Sequence, residues 1–222
     1  MKCFLTGTDT DVGKTVISAG LLARARLDGR SCIGLKPVAA GAEQGPDGPY
    51  SDDALRLARG AGFTGPLADI NPVLLDAPIA PHVAAQMSGV SLQAAALADW
   101  ARTAAGDLDA VIVEGAGGWR VPINNAEGFD TVAKALGWPV ILVVGMRLGC
   151  INHALLTAQA IVADGLELAG WVANRVDPNQ AAYADNVATL KARIRAPLLG
   201  EVAWSSDPTP ESVATQVRWP TA

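Results

Sequence analysis

The chain has 222 residues, of which 50% are hydrophobic and 18% are charged, and its formal net charge is −5. This composition supports one domain with strands buried on both faces, and the negative charge argues against a general nucleic-acid or anionic-membrane surface. Three widely spaced cysteines, Cys3, Cys32 and Cys150, form no metal-ligand pattern. Because no apolar run approaches a membrane span and the first strand begins too early for a signal peptide, we expect a soluble cytoplasmic protein without nucleic-acid or membrane partners.

The first stretch with a chemical signature is residues 3–15. An apolar strand, Cys3 to Leu5, leads into a glycine-punctuated polar turn that ends in Gly13-Lys14-Thr15. This order of strand, loop and helix predicts a P-loop, whose backbone N–H groups and positive helix end surround a phosphate chain. Lys14 would reach the β- and γ-phosphates, and the Thr15 hydroxyl would be a Mg²⁺ ligand. The spacing from Gly7 to Gly13 is one residue longer than usual, so an ordinary helix-capping turn is the alternative.

The rest of the chain alternates helical and strand patterns. Apolar residues at helical spacing predict helices at residues 16–27, 54–58, 91–105, 129–136, 149–163 and 181–194, and a short one near Glu211. Apolar runs predict strands at residues 31–35, 110–113, 140–144, 168–173 and 198–202. We expect a mobile loop at residues 40–50, an N-cap cluster at residues 51–53 and a turn at residues 78–82. The alternation predicts one α/β domain over residues 1–222, a P-loop NTPase-type three-layer fold with a mainly parallel central sheet and helices on both faces.

Polar residues follow several of the predicted strands. Lys36, Glu114 and Asn174 each stand at a strand end, and in open parallel sheets ligands bind beyond the carboxyl ends of the strands. Glu114 resembles a Walker-B acid and, with Thr15 and Asp53, would offer Mg²⁺ the oxygen ligands that it prefers. The alternatives are a plain strand-end carboxylate for Glu114 and an N-cap for Asp53. Lys36 would add a second phosphate-facing charge.

Two further stretches leave their roles open. Asn174-Arg175-Val176-Asp177 resembles the guanine-reading motif N-K-x-D, which keeps a GTP-binding module as an alternative. Residues 146–152 join the strongest strand to a helix whose exposed N–H groups could receive a carboxylate, or they form an ordinary capped helix start. We expect structural roles for His82 and His153, and no nucleophilic role for Cys150.

Several of these motifs together resemble dethiobiotin synthetase: residues 7–15, 36–38, 113–118 and 148–154. The likeness extends through residues 169–174 and 197–201, and the long P-loop spacing is this family's own form. The resemblance implies a ligase that forms C–N bonds by cyclisation in the penultimate step of biotin synthesis. Such an enzyme converts 7,8-diaminononanoate, CO₂ (from bicarbonate) and ATP, with Mg²⁺, to dethiobiotin, ADP and phosphate, through a carbamate and a carbamic-phosphoric anhydride.

The resemblance also assigns expected roles to residues. The implied catalytic residues are Thr10, Lys14 and Lys36, and the implied metal ligands are Thr15, Asp53 and Glu114. The implied ATP-binding residues are Asp11, Val12, Gly13, Lys14, Thr15, Val16, Asp53, Glu114, Gly115, Ala116, Gly117, Asn174, Arg175, Ala203, Trp204, Ser205 and Glu211. The implied substrate-binding residues are Thr10, Asp11, Lys36, Ala40, Pro81, Leu148, Gly149, Cys150, Ile151 and Asn152. The family is a homodimer, in which the substrate carboxylate lies on the partner's helix start at residues 148–152.

The chain departs from the family pattern at three positions. Asp11 stands where Glu is frequent, Ala40 where a Ser hydroxyl could contact the substrate, and Asn186 where a partner-subunit Tyr is expected. A partition- or nitrogenase-type ATPase is a competing interpretation, but that class has a signature Lys where Asp9 stands here. A structural protein with a vestigial P-loop is another. In an enzyme of the resembled family, removing Lys36 is expected to abolish turnover and leave the fold intact.

Overall fold

The computed structural model describes residues 1–46 and 48–221. The strands are β1 (Lys2–Gly7), β2 (Cys32–Leu35), β3 (Val38–Ala40), β4 (Glu43–Gly45), β5 (Gly48–Tyr50), β6 (Val73–Leu75), β7 (Ala110–Gly118), β8 (Val140–Gly145), β9 (Leu168–Asn174) and β10 (Leu198–Val202). The helices are α1 (Lys14–Leu27), α2 (Asp52–Ala61), α3 (Pro81–Met87), α4 (Ala94–Ala105), α5 (Phe129–Leu136), α6 (Cys150–Ala163), α7 (Tyr183–Arg193) and α8 (Pro210–Ala214), with a 3₁₀ turn at Leu67–Asp69.

A six-stranded parallel sheet forms the centre of the fold, with the strand order β10-β9-β8-β1-β7-β2. β1 lies in the middle, where Phe4 pairs with Val113 of β7 and with Val140 of β8. Helices complete a three-layer α/β fold, which confirms the predicted fold class: α1 packs against α2 and α8, α4 against α5, and α6 against α7. The P-loop therefore leaves the sheet from its centre.

Alternation along β8 shows why this segment is a strand buried on both faces. Its side chains are fully buried, yet they enter two different hydrophobic clusters. Ile141 and Val143 belong to the larger cluster, and Leu142 and Val144 belong to the smaller one. Successive side chains of a strand point to opposite faces, so a continuous apolar run is what a sheet covered on both sides requires.

Two predictions about connecting segments were wrong. Residues 40–50 do not form a plain loop, because Glu43 pairs with Tyr50 in a short antiparallel hairpin of β4 and β5, and the Tyr50 hydroxyl donates to the Glu43 carboxylate at 2.8 Å; residue 47 lies outside the described residues. The turn expected at residues 78–82 ends at Ala80, because α3 begins at Pro81. Proline suits the first helical position, where its missing N–H would have no intrahelical acceptor.

The other elements agree with the sequence to within a few residues. α5 and β10 have the predicted bounds, β7 continues past Glu114 to Gly118, and Ser51 caps α2 by accepting the Ala54 N–H at 3.2 Å. Two short strands, β3 and β6, pair in parallel beside the main sheet and were not predicted. In the part of the chain that the structure describes, no helix has the length and apolar character needed to cross a membrane.

Candidate active site

The P-loop takes a backbone shape that its sequence makes accessible. Gly13 has a φ of 84° and Asp11 a φ of 56°, both in the left-handed region that Gly and Asp tolerate best. The Asn174 side chain at the end of β9 donates to the Val12 carbonyl at 2.9 Å. A Cβ at position 13 would overlap that amide nitrogen, so glycine is required here for space as well as for conformation. Asn174, at the end of a strand two places away from β1, thus holds the P-loop in position.

Four side chains from four different elements meet beside the start of α1. Lys36, after β2, places Nζ 2.7 Å from Glu114 Oε1 and 2.8 Å from Asp53 Oδ2, and it donates to the Gly115 carbonyl at 3.1 Å. The Thr15 hydroxyl lies 2.7 Å from Asp53 Oδ1 and 2.8 Å from Glu114 Oε1. We call Thr15, Lys36, Asp53 and Glu114 the charge cluster. Its members come from distant parts of the chain, and the parallel sheet together with the packing of α2 on α1 brings them together.

Burial makes the charges of this cluster depend on one another. Burial by itself would lower the pKa of Lys36, but the carboxylates of Glu114 and Asp53 outweigh it and hold that pKa above its ordinary value. Burial would likewise raise the pKa of Asp53, yet the Lys36 ammonium and the Thr15 hydroxyl lower it overall. Burial and the neighbouring Lys36 lower the pKa of Lys14 to about 8. The pKa shifts of Lys36 and Asp53 therefore both favour the charged forms, whereas the lowered pKa of Lys14 makes it the more easily deprotonated of the two lysines.

The Thr15 hydroxyl has a single proton but faces two carboxylate oxygens at 2.7 and 2.8 Å. It can donate to only one of them at a time, so its contact with the other oxygen has no proton between the two atoms. Hard oxygen donors in this arrangement suit a divalent cation such as Mg²⁺. Among the described residues no group of three or more His, Cys, Asp or Glu side chains could hold a metal ion.

A cavity of about 800 Å³ opens beside the charge cluster. Twelve of the predicted site residues contribute to its lining: Thr10, Asp11, Gly13, Lys14, Thr15, Val16, Lys36, Ala40, Asp53, Pro81, Ala116 and Gly117. Glu114 is 0% exposed and lies behind Thr15 and Lys36. The cavity is large enough for a triphosphate chain together with a small organic molecule.

A second cavity, of about 200 Å³, continues from the first one. It shares Asp11, Gly13 and Val16 with the larger cavity and is otherwise lined by residues 174–176, 202–205 and 208. Predicted site residues in this second set are Asn174, Arg175, Ala203, Trp204 and Ser205. The P-loop therefore separates the larger cavity, which is lined by charged side chains, from the smaller one, whose lining includes the indole of Trp204.

Some predicted site residues lie away from these cavities. Glu211 is an exposed residue of α8 outside the lining of both, and so are residues 148–152 at the start of α6, where Leu148 is 97% exposed. Arg147 nevertheless joins that helix start to the P-loop, through an ion pair with Asp9 at 2.6 Å. Of the three departures from the family pattern, Asp11 and Ala40 line the larger cavity, and Asn186 lies on α7 outside both.

Among the residues near the site that were not predicted from the sequence, two are polar. Arg56 on α2 lines the larger cavity, and Ser18 on α1 donates to Glu114 Oε2 at 2.7 Å. Both stand in helical stretches without a motif, so only their spacing could have indicated them. Ser18 follows Thr15 by three residues and Arg56 follows Asp53 by three, which places each on the same helix face as a predicted ligand.

Comparisons with known proteins find relatives over most of the chain. A family model described as an AAA domain matches residues 1–212. The ATP-dependent dethiobiotin synthetase BioD of Cellvibrio japonicus (strain Ueda107) is 52% identical over 199 residues, which cover 90% of this chain and 87% of that protein. The protein of the same name from Pseudomonas paraeruginosa (strain DSM 24068 / PA7) is 50% identical over 215 residues, which cover 96% and 94%.

Solved structures with a similar fold are much more distant in sequence. The septum site-determining protein MinD from Pyrococcus horikoshii OT3, solved with Mg-ADP, has a TM-score of 0.58 at 15% identity, covering 98% of this chain and 87% of that one. A ParA family ATPase from Chlorobium tepidum TLS has a TM-score of 0.55 at 14% identity, covering 97% and 90%. These two likenesses show the fold alone. Through its half-identical relatives and the match to the family model, the chain belongs to the family of ATP-dependent dethiobiotin synthetases.

Proposed function

We propose that this protein is a ligase that uses ATP and Mg²⁺ to close the ureido ring of dethiobiotin from 7,8-diaminononanoate and CO₂. The observation that carries the proposal is the larger cavity, in which Lys14 and Lys36 face the same space as Thr15 and Asp53. The half-identical relatives, which are named for this activity, support the choice of reaction. The homodimer and the cytoplasmic location stay predictions.

The chemistry that the residues must support joins two anions. One amine of the substrate adds to CO₂ to form a carbamate, and a carbamate oxygen then takes the γ-phosphoryl group while ADP leaves with the bond pair. The second amine attacks the carbonyl carbon of this mixed anhydride, and phosphate leaves. Lys14 and Lys36, both largely buried, offset the repulsion between carbamate and γ-phosphate, and fixed charges in a site shielded from water are more effective than the same charges in solution.

Thr15, Asp53 and Glu114 would hold Mg²⁺, with Thr15 and Asp53 at the cavity wall and Glu114 behind them. When bound, the ion would neutralise phosphate charge and orient the triphosphate. Lys36 has all three of its N–H donors in use, on Glu114, Asp53 and the Gly115 carbonyl. To contact an anion it must therefore exchange one of these acceptors. Asp53 is the exposed member of the pair, with a side chain that is 42% accessible against 0% for Glu114, so the Asp53 contact is the one that we expect to be exchanged.

The smaller cavity would hold the base. Asn174 gives an N–H to the Val12 carbonyl, so its carbonyl oxygen is available as an acceptor, which suits the amino group of adenine. The guanine-reading alternative also uses Asp177, the last residue of the stretch that resembles N-K-x-D. The Asp177 carboxylate accepts the Asn179 N–H at 2.8 Å, and the described lining of the cavity does not include it. These contacts favour ATP over GTP.

The test is phosphate release from Mg-ATP and bicarbonate, with and without 7,8-diaminononanoate. We expect release to depend on the diamine, with dethiobiotin formed in equal amount. A Lys14→Met variant, purified in the same way, is the control for contaminating phosphatase. Diamine-independent release by the wild-type protein, or activity with GTP alone, would instead support a switch-type ATPase or a GTP-binding module.

A further inference from the structure

Ser18 is a fully buried hydroxyl on the inner face of α1, and the catalytic scheme above does not use it. It is 0% exposed and lies 2.7 Å from Oε2 of Glu114, which is itself 0% exposed. An ionised carboxylate can only accept, so the serine is the donor. Serine in the middle of a helix is otherwise unfavourable, because its hydroxyl competes with the backbone. Here the hydroxyl instead donates to a carboxylate on strand β7 of the main sheet.

The two oxygens of Glu114 have different kinds of partner. Oε1 lies within hydrogen-bond distance of Thr15 and Lys36, and both of these side chains line the larger cavity. Oε2 accepts from Ser18, which lies behind the cavity wall. Thr15 and Lys36 can turn their donors towards a ligand, whereas Ser18 has no access to the cavity. Its bond to Glu114 is therefore the contact that persists whatever the cavity holds.

We propose that Ser18 is a positioning residue that fixes the rotation of the Glu114 carboxylate and, through it, the directions of the Thr15 hydroxyl and the Lys36 ammonium. This inference rests on the proposed function, since it concerns the residues that would hold Mg²⁺ and ATP. Without the Ser18 hydroxyl, Oε2 would be a buried acceptor lacking its donor, and the carboxylate would be free to rotate towards Lys36. Partners that orient metal-ligating groups in this way typically affect metal affinity by 10–100-fold.

The experiment measures binding rather than turnover. Mn²⁺, which replaces Mg²⁺ and is visible by electron paramagnetic resonance, is titrated into the protein with saturating ADP. We expect Ser18→Ala to weaken Mn²⁺ binding roughly tenfold. The matched control is Ser31→Ala, which removes another serine-to-carboxylate bond of 2.7 Å, to Asp109, at the opposite end of β2 from Lys36. We expect Mn²⁺ affinity in the control to stay within twofold of the wild type.

Unchanged Mn²⁺ affinity in a folded Ser18→Ala protein would overturn the proposal. Should that variant fail to fold, Ser18→Cys retains similar volume with a weaker donor, and we expect its Mn²⁺ affinity to fall below that of the wild type. Wild-type affinity in the cysteine variant would also overturn it. Because these titrations contain no diamine, they are independent of the ligase reaction, whose own failure would appear as diamine-independent phosphate release by the wild-type protein.

Discussion

Removing the Lys36 ammonium should cost stability as well as activity. The sequence alone suggests that the fold would tolerate the change, but the Lys36 side chain is 3% exposed and its partner Glu114 is 0% exposed. In Lys36→Met the Glu114 carboxylate would lose its cation without gaining water. Breaking a buried ion pair from one side typically costs about 3–5 kcal/mol, which for a chain of this size corresponds to a fall in melting temperature of roughly 6–20 °C.

A second variant separates the charge from the packing. In Lys36→Met/Glu114→Gln both charges are removed together, and the neutral amide can still accept from Ser18. We expect the double variant to recover most of the lost stability and to remain inactive. Urea unfolding at pH 7 gives the free energies, and coupled phosphate and dethiobiotin assays give the turnover. If Lys36→Met proved as stable as the wild type, or if the double variant were no more stable than the single one, the buried ion pair would not be the source of the effect.

Three further predictions concern other parts of the molecule. Gly13→Ala should abolish ADP binding, because the new Cβ would overlap the Asn174 amide. The control is Gly165→Ala, at a glycine with a similar φ of 82° but open space around it, and this variant should bind ADP normally. Fluorescence titration with ADP distinguishes the two. Trp204→Ala should weaken ADP binding roughly tenfold, since a base stacked on an aromatic ring gains about 1–3 kcal/mol, and an unchanged dissociation constant would place the base elsewhere. Burial would raise the pKa of Asp164, but hydrogen bonds from the Trp119 indole and the Arg120 guanidinium lower that pKa overall. Its contribution to stability is therefore present above the ordinary value of 3.8 and is lost as the pH falls through the lower, folded value. The urea midpoints of Asp164→Asn and wild type should converge as the pH falls below 3.8, and a gap that widens in acid would contradict this.

The sequence predicted the main sheet because its signals are local. The run at residues 140–144 is too short and too uniformly apolar for an amphipathic helix, and strands of this kind occur in parallel sheets covered on both faces. The P-loop, Lys36 and Glu114 could be placed at one edge because strand direction is shared by all strands of such a sheet. Asp53 could not be distinguished from a helix cap, since only the packing of α2 against α1 brings its carboxylate to Thr15.

What the sequence could not show depends on contacts between distant segments. The glycines and prolines of residues 40–50 are equally compatible with a loop and with the hairpin that forms. Ser18 has a polar side chain in a helix, which normally indicates an exposed face, and its partner is 96 residues away. Helix periodicity also could not predict that residues 148–152 lie away from the cavities.

The C-terminal segment, which closes over α1, has a consequence for how the protein is made. The Trp219 indole donates to the Leu21 carbonyl at 2.8 Å, and α8 packs on the same helix. α1 leaves the ribosome well before α8 and Trp219, which cover it. At about 5–20 residues per second, roughly 10–40 s separate the two. During that interval the apolar face of α1 is exposed on the nascent chain. We therefore expect chaperones to bind at α1, and C-terminal truncation to leave α1 uncovered.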